Sequence, residues 1–600
     1  MGSSIATNRL KLRWRRIIRR RKKLALDVAD QAEQGLEKNF FRRLSHLNTV
    51  RRFLISWIGL MVLLIASVGL QARGLSSYYQ RIASVDGGTL REGIVGTFST
   101  ANPLYASNPA DESVAKLIFS SLFTHDNDNN LVPDLADKWE ADEKGQLYTV
   151  HLHKGIKWSD GIPFTAEDVV FTYTTIQNPD AKSPLLASWR DVKVAAKDDF
   201  TVTFELPSAL ASFPYSLING IVPKHLLAKT PVSQLRSSPF NTQPVGTGPF
   251  LWQSVEVSGQ TREQRSEQVA LKRNISYHFG APRIENYVLK TYREENDLIK
   301  AFVRRELTAA VGISDVPTAI SSDTTAMSYN VPLTGSVDIF LNTGSQLSTA
   351  LTDVKVRQAL ASATDQSALV KQLGYSVLET QGPLLKGQLG FDPAAKERGY
   401  DQAVANTLFD AAGWKQEKQG AIRTKDGKPL KLVLVSQSIA DYTQIAQALQ
   451  KQWRAVGVDL EVRLRPAEDM QGEILSGHNY DVLLYGISMT QDPDVFAYWD
   501  SSQANVSSSR LNLSEYKSAA ADKALEAGRT RTDPAIRSAR YKVFQATWRE
   551  DVPAIALYQP RFLYITRNEL VGFESKRMQS ATDRFNDIEK WTVLQDRVLK

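Results

Sequence analysis

Twenty consecutive residues without a charge, Phe53–Ala72 (FLISWIGLMVLLIASVGLQA), constrain this chain more than any other feature. At 1.5 Å rise per residue a helix of that length spans about 30 Å, the thickness of a bilayer's hydrocarbon core. Its flanks are unequal. Residues 1–52 carry 15 Lys and Arg, including RWRRIIRRRKK (13–23), against Asp27, Asp30, Glu33 and Glu37, whereas only Arg73, Arg81 and Arg91 follow closely. That asymmetry places 1–52 in the cytoplasm and everything after Ala72 outside. A cleaved signal peptide is the alternative reading, but a 52-residue polar leader is too long for an n-region and Leu70-Gln71-Ala72 is a poor cleavage site.

The location of charge also argues against a nucleic-acid binder. The net charge is +8, yet residues 73–600 hold 58 basic and 61 acidic groups, so the bulk of the protein is not basic. The basic leader reads as a topology signal resting on anionic lipid, each cation being worth about 1 kcal/mol there, with RNA or partner binding as the alternative. The chain has no cysteine, which excludes disulfides, thiolate metal sites, a Cys nucleophile and a lipid-modified N-terminal Cys. With 600 residues, 42% of them hydrophobic, it exceeds the ~250–300 residues that one core organises, so two or more lobes are expected.

Strands and helices alternate along the exterior part. Tyr148, Val150 and Leu152 share one face of a period-two segment, as do Phe200, Val202, Phe204 and Leu206. Between them Thr165-Ala-Glu-Asp168 forms a capping box, with Phe164 and Val169 at the staple positions. Downstream, LKLVLV (430–435), a helical face through Tyr442, Ile445, Leu449, Trp453 and Val456, a C-terminal Gly457 and VDLEVRL (458–464) make a parallel strand–helix–strand unit. A second helix ends at Ala411-Ala412-Gly413, and NYDVLLYGI (479–487) suits a central strand. Residues 73–88, rich in Gly and Ser, read as a stalk.

Catalytic signatures are missing: the sequence has no Walker A motif, HExxH, GxSxG or GxGxxG. His151 and His153 share a strand face, with His125 nearby in sequence, but no third metal ligand is located. Asp126, Asp128 and Asn130 resemble the start of a calcium loop without its glycine and read as a solvated turn. No cofactor is expected.

The segment YTVHLHKGIKWSDGIPFTAEDVVFTY (148–173) resembles the signature of the family 5 extracellular solute-binding proteins, the oligopeptide-, dipeptide- and nickel-binding components of ABC importers. Asn102-Pro103-Leu104, Ile221-Val-Pro-Lys-His225, Gly246-Thr-Gly-Pro-Phe250, DVKVRQALASATDQSALV (353–370), AAGW (411–414), VGVDLEV (456–462) and YDV (480–482) follow in the family's order, covering nearly all of 89–570. The resemblance implies an α/β, bilobal type II periplasmic-binding-protein fold with an inserted subdomain, here preceded by one transmembrane helix. The expected layout is a basic segment (1–52), the helix (53–72), a linker (73–88), a first lobe (89–335, with the insertion about 113–243), a second lobe (336–555) and a C-terminal return to the first lobe (556–600). Such lobes place a cleft at their strand ends and close by a hinge.

The chain departs from the family at the site. Similar peptide-binding members place an Asp after the YDV strand, where it pairs with the peptide's amine; here that position is Thr490, or Met489 when counted back from Pro493. An Arg and a Trp found in relatives are Leu484 and Ile487. Asp492 and Asp494 are the nearest replacements, as ligand contacts or as parts of a turn. Tyr485, Trp499 and Tyr498 line the cleft or pack in the core, and Tyr558 resembles a family tyrosine near the crossover. The function expected is a membrane-anchored extracellular receptor that captures a solute, a peptide by this resemblance, and delivers it to ABC permease subunits. A ligand sensor with a basic cytoplasmic arm and an anchored hydrolase are the alternatives.

Overall fold

The computed structural model describes residues 23, 51–261, 265–418, 420–466, 469–470, 474–505 and 510–599. The basic segment expected at 1–52 therefore lies almost wholly outside the described residues. A helix runs from Arg51 to Tyr79, and its Phe53–Gln71 stretch is long and apolar enough to cross a membrane. The segment 73–88, expected as a stalk, carries regular structure. The helix continues to Tyr79 and a strand follows at Gln80–Val85, paired with Leu594–Leu599. Gly74 stands alone there, with no proline beside it, and an isolated glycine costs a helix only about 1 kcal/mol.

Residues 84–595 form a separate compact unit organised by three sheets. The first has seven strands in the order Ala326–Pro332, Arg561–Arg567, Ala309–Val311, Thr89–Val95, Asn286–Tyr292, Ser266–Arg273, Phe250–Ser258. Thr89–Val95 runs parallel to Asn286–Tyr292 and Ala309–Val311. The helix Pro109–Ile118 packs on this sheet through Val114, Leu117 and Ile118, so the first lobe extends past the expected boundary at 113.

The inserted subdomain carries a four-stranded antiparallel sheet, Ala136–Ala141, Leu147–Leu152, Thr201–Glu205 and Lys193–Asp198. Its two patterned strands pair directly, with Tyr148 opposite Phe204 and Val150 opposite Val202. The helix Ala166–Gln177 starts at the expected capping box, where Thr165 N–H donates to Asp168 at 3.0 Å. Behind the sheet, Tyr173 lies on Trp189 with centroids 4.0 Å apart, and Phe204 and Phe213 close the nest. Gly246 and Gly248 explain the GTGPF motif. A Cβ on either would meet the Ile118 carbonyl, at 1.9 and 2.7 Å, so only glycine lets the returning chain come close enough for Gly248 N–H to donate to Ile118 O at 2.8 Å.

The second lobe's five-stranded sheet runs Asp459–Arg465, Lys431–Gln437, Val482–Ser488, Gly335–Leu341, Ala554–Tyr558. The expected unit is present: Lys431–Gln437 and Asp459–Arg465 are parallel, joined by the helix Ala440–Ala455 and by Gly457 at φ +85°. Val482–Ser488 is the central strand. The chain leaves this sheet after Tyr558, so the return to the first lobe begins just beyond the expected residue 556. The two crossovers lie side by side, with Leu333 N–H donating to Pro560 O at 2.8 Å.

Two buried acids stand out. Glu92 and Arg584, both without solvent exposure, pair at 2.5 Å between the first strand and the C-terminal return, and Tyr564 donates to Glu92 at 2.8 Å. Asp338, 1% exposed, has no such cation among the described residues. Ser336 donates to it and Tyr485 is its cross-strand neighbour. Tyr442 and the half-buried Glu397, which accepts from Ala556 N–H at 2.9 Å, are the other titratable groups facing it. Burial pushes the Asp338 carboxyl from 3.8 to about 7, against the pull of the Ser336 hydrogen bond. The folded state thus retains a proton that the unfolded chain releases, so this contribution is complete below pH ~4 and is lost as pH rises through about 7. Asp338→Asn should match wild type near pH ~4 and exceed it at pH 8 by on the order of 1–3 kcal/mol in thermal or denaturant unfolding. An equal or lower stability of the variant at pH 8 would refute this assignment.

Candidate functional site

Open α/β sheets place ligands beyond the carboxyl ends of their parallel strands, and the segments that follow Ala309–Val311 in the first lobe and Lys431–Gln437 in the second meet beside the crossovers. A cavity of about 260 Å³ lies there. Ile313 and Ser314, just after the strand Ala309–Val311, and Leu563 line it from the first lobe. Tyr375, Asp441 and Tyr442 line it from the second, while Tyr558 and Arg561 belong to the crossover.

The polar side chains are tightly organised. Asp441 sits in the first turn of the helix Ala440–Ala455, which opens onto the cavity directly after the strand Lys431–Gln437. Tyr375 donates its hydroxyl to Asp441, and the Arg561 guanidinium lies 3.3 Å from the Tyr375 ring centroid. Arg561 also donates to Ser314 O at 3.0 Å and Asn330 Oδ1 at 2.6 Å. Burial, then the hydrogen bond to Asp441, hold the Tyr375 hydroxyl well above its ordinary pKa, so it stays a donor. The Tyr442 hydroxyl rests over Gly486, where a Cβ would come within 2.8 Å.

The residues singled out in the sequence fall in three places. Tyr558, 2% exposed, is part of the cavity. Tyr485 is half-buried on the opposite face of the second sheet, and Tyr498 donates to Ser488 O at 2.6 Å. Trp499 is fully buried, stacked on Phe340 and edge-on to Trp548. Asp492 is buried against Arg537 at 2.7 Å. Burial raises the Asp492 carboxyl above the usual range and Arg537 pulls it back. Asp494 N–H closes a turn onto Asp492 Oδ1 at 3.0 Å, while its own carboxylate accepts from Ser212 Oγ at 2.9 Å and faces Arg529 at 3.4 Å. Ser212 belongs to the inserted subdomain, and its neighbour Ala211 N–H donates to Arg529 O at 2.8 Å. Asp492 and Asp494 therefore mark an edge where the lobes are bonded together.

Tyr375, Asp441 and Arg561 escaped the sequence reading. The available signal was position, since Asp441-Tyr442 immediately follows a predicted parallel strand. Of the histidines, His125 is buried 3.4 Å from Asp583, whereas His151 lies 3.9 Å from Glu140 on an open face. Among the described residues no three His, Asp or Glu side chains are grouped as metal ligands. Asp126 accepts from Asp128 N–H and Asn130 N–H at 2.9 and 2.8 Å, as in a turn.

Residues 130–508 match the bacterial extracellular solute-binding proteins, family 5 middle region. The chain belongs to that family. It is 27% identical over 516 residues to oligopeptide-binding protein AppA of Bacillus subtilis (strain 168), covering 84% of this chain and 91% of that one. The solved structure of AppA from Bacillus subtilis, in complex with a nonapeptide, matches with a TM-score of 0.65 and 25% identity over 85% of this chain and all of that one. NikZ from Campylobacter jejuni, in complex with Ni(L-His), matches with a TM-score of 0.68 and 26% identity over 84% and 99%. Family 5 proteins are extracellular solute-binding components of ABC importers and perform no catalysis, so the hydrolase alternative falls.

A hydrogen bond to a charged group is worth about 1.5–3 kcal/mol, so the Ser212–Asp494 contact should shift an open–closed equilibrium roughly tenfold or more. The absence of cysteine lets spin labels be placed at exposed Lys197 and Lys523 without background. Ser212→Ala with Asp494→Asn should lengthen the distance between them in pulsed electron resonance. An unchanged distribution would remove the latch role.

Proposed function

We propose that this protein captures a peptide in the cavity between its lobes and passes it to an ABC permease while held to the membrane by the helix Arg51–Tyr79. The observation that carries the reading is the cavity at the crossovers, lined by Ile313, Ser314 and Leu563 from the first lobe and by Tyr375 and Tyr442 from the second, with one carboxylate and one guanidinium that can meet a zwitterionic ligand. Support comes from the relative called an oligopeptide-binding protein and from its complex with a nonapeptide. The uneven flanks of Phe53–Gln71 support an anchor with the lobes outside the cell, which keeps the receptor concentrated beside its permease. Protease added to intact cells should then digest the region after Ala72 and spare residues 1–52; a mature chain beginning near Arg73 would contradict it.

In this reading Tyr558 contacts ligand, Tyr485 and Trp499 support the second sheet, and Asp492 and Asp494 govern closure, because their carboxylates already have Arg537, Arg529 and Ser212 as partners. Asp441 is left to receive a free amine. The peptide that co-purifies should be identified by mass spectrometry and resynthesised with a free and an acetylated N-terminus. Acetylation and Asp441→Asn should each cost about 2–5 kcal/mol of affinity, with little further loss when combined. Equal affinity for both peptides would exclude amine recognition, and a loss reproduced by Asp492→Asn instead would move the anchor to that edge.

A further inference from the structure

The first lobe holds a second cavity, of about 490 Å³, within the ~300–1,000 Å³ usual for ligand pockets. It opens between the loop that follows the strand Thr89–Val95 and the segment Arg236–Thr242, and among the described residues none of the second lobe lines it. It shares no residue with the cavity at the crossovers.

Three features of its wall are unusual. Tyr105 is 6% exposed, and its hydroxyl is buried without a hydrogen-bond partner. A buried polar group left in that state costs about 1–3 kcal/mol, which an arriving ligand atom can recover. Arg236 stands with its guanidinium 6.0 Å from the Tyr105 ring centroid and forms no ion pair among the described residues. The cavity's one carboxylate, Asp111, is already saturated. It accepts from Ser99 N–H at 2.7 Å, Ser99 Oγ at 2.6 Å, Thr100 N–H at 3.1 Å and Asn108 Nδ2 at 2.7 Å. Asp111 therefore organises the wall and leaves Arg236 to face the cavity's contents.

The rest of the lining is hydroxyl-rich, with Ser107, Ser237 and Thr242 among its members. Hydroxyls donate and accept in the same place, which suits a ligand with several hydroxyls of its own. The single unpaired guanidinium selects an anion and is matched in geometry to a carboxylate. The nearby charge of Asp111 opposes a second negative charge, so a monoanion is favoured over a phosphate dianion. We infer that this cavity is a separate binding site for a small hydroxylated monocarboxylate, of the sugar-acid type, with its carboxylate on Arg236 and a hydroxyl on Tyr105.

The test uses the full chain in detergent micelles, with D-glucuronate, D-glucose and inorganic phosphate as probes in calorimetry and saturation-transfer NMR. Glucuronate should bind wild type, weaken about tenfold or more in Arg236→Gln and several-fold in Tyr105→Phe. Glucose should bind less tightly than glucuronate and be indifferent to Arg236→Gln. Circular dichroism on each variant, with Arg236→Lys as a milder second change, separates lost binding from lost folding. No binding at about 10 mM glucuronate, a millimolar-range limit, would overturn the site. So would affinity unchanged in both variants, or phosphate binding as tightly as glucuronate.

Discussion

A carboxylate and a guanidinium shut away from water hold the first lobe closed. Glu92 lies on the first strand of the seven-stranded sheet and Arg584 near the end of the chain, and neither side chain reaches solvent. Removing two ions from water costs several kcal/mol each, and the pair survives only because further bonds satisfy what remains. Tyr564 donates to Glu92, while Arg584 donates to Ser113 and to Ala581 O. The contact joins the first strand, the helix Pro109–Ile118, the penultimate strand of the first sheet and the C-terminal turn. The first lobe is thus complete only when the chain has finished the second and come back.

Much of this architecture was legible before any coordinates. Tyr148, Val150 and Leu152 alternate with polar neighbours and do face the insertion's core, because a strand half-covered by helices enforces that period. Thr165 and Asp168 marked a helix start, and Gly457 an end, through backbone chemistry that acts within a few residues. Residues 73–88 form helix and strand despite their Gly and Ser, which report flexibility only when no neighbouring order recruits them. The boundary expected at about 113 falls inside the helix Pro109–Ile118, because an apolar helix face says that it packs and nothing in the chain says upon what.

The site was less legible, for a related reason. Asp492 and Arg537 are far apart in sequence yet neutralise each other in a buried pair, so the acid that looked available to a ligand has a partner of its own. The departures from the family are equally physical. Met489 is buried and its N–H bonds to Thr334 O at 2.9 Å, and Ile487 is 5% exposed. These positions pack and brace the crossover. The charges that remain at the crossover cavity, Asp441 and Arg561, come from a helix start and a connecting segment.

The crossovers themselves carry a consequence for how tightly the protein can hold anything. Both contain a proline, Pro332 and Pro560, and a backbone hydrogen bond clips them together at Leu333. Gly335 is wedged so close to Ile487 O that a Cβ would sit 2.5 Å from it. Proline fixes φ, and two clipped tracks allow rotation about one axis where a single glycine-rich strand would allow wandering. The unliganded lobes therefore sample few orientations. Because the open ensemble is narrow, closure forfeits little conformational entropy, and more of the contact energy made in the cleft is retained as affinity.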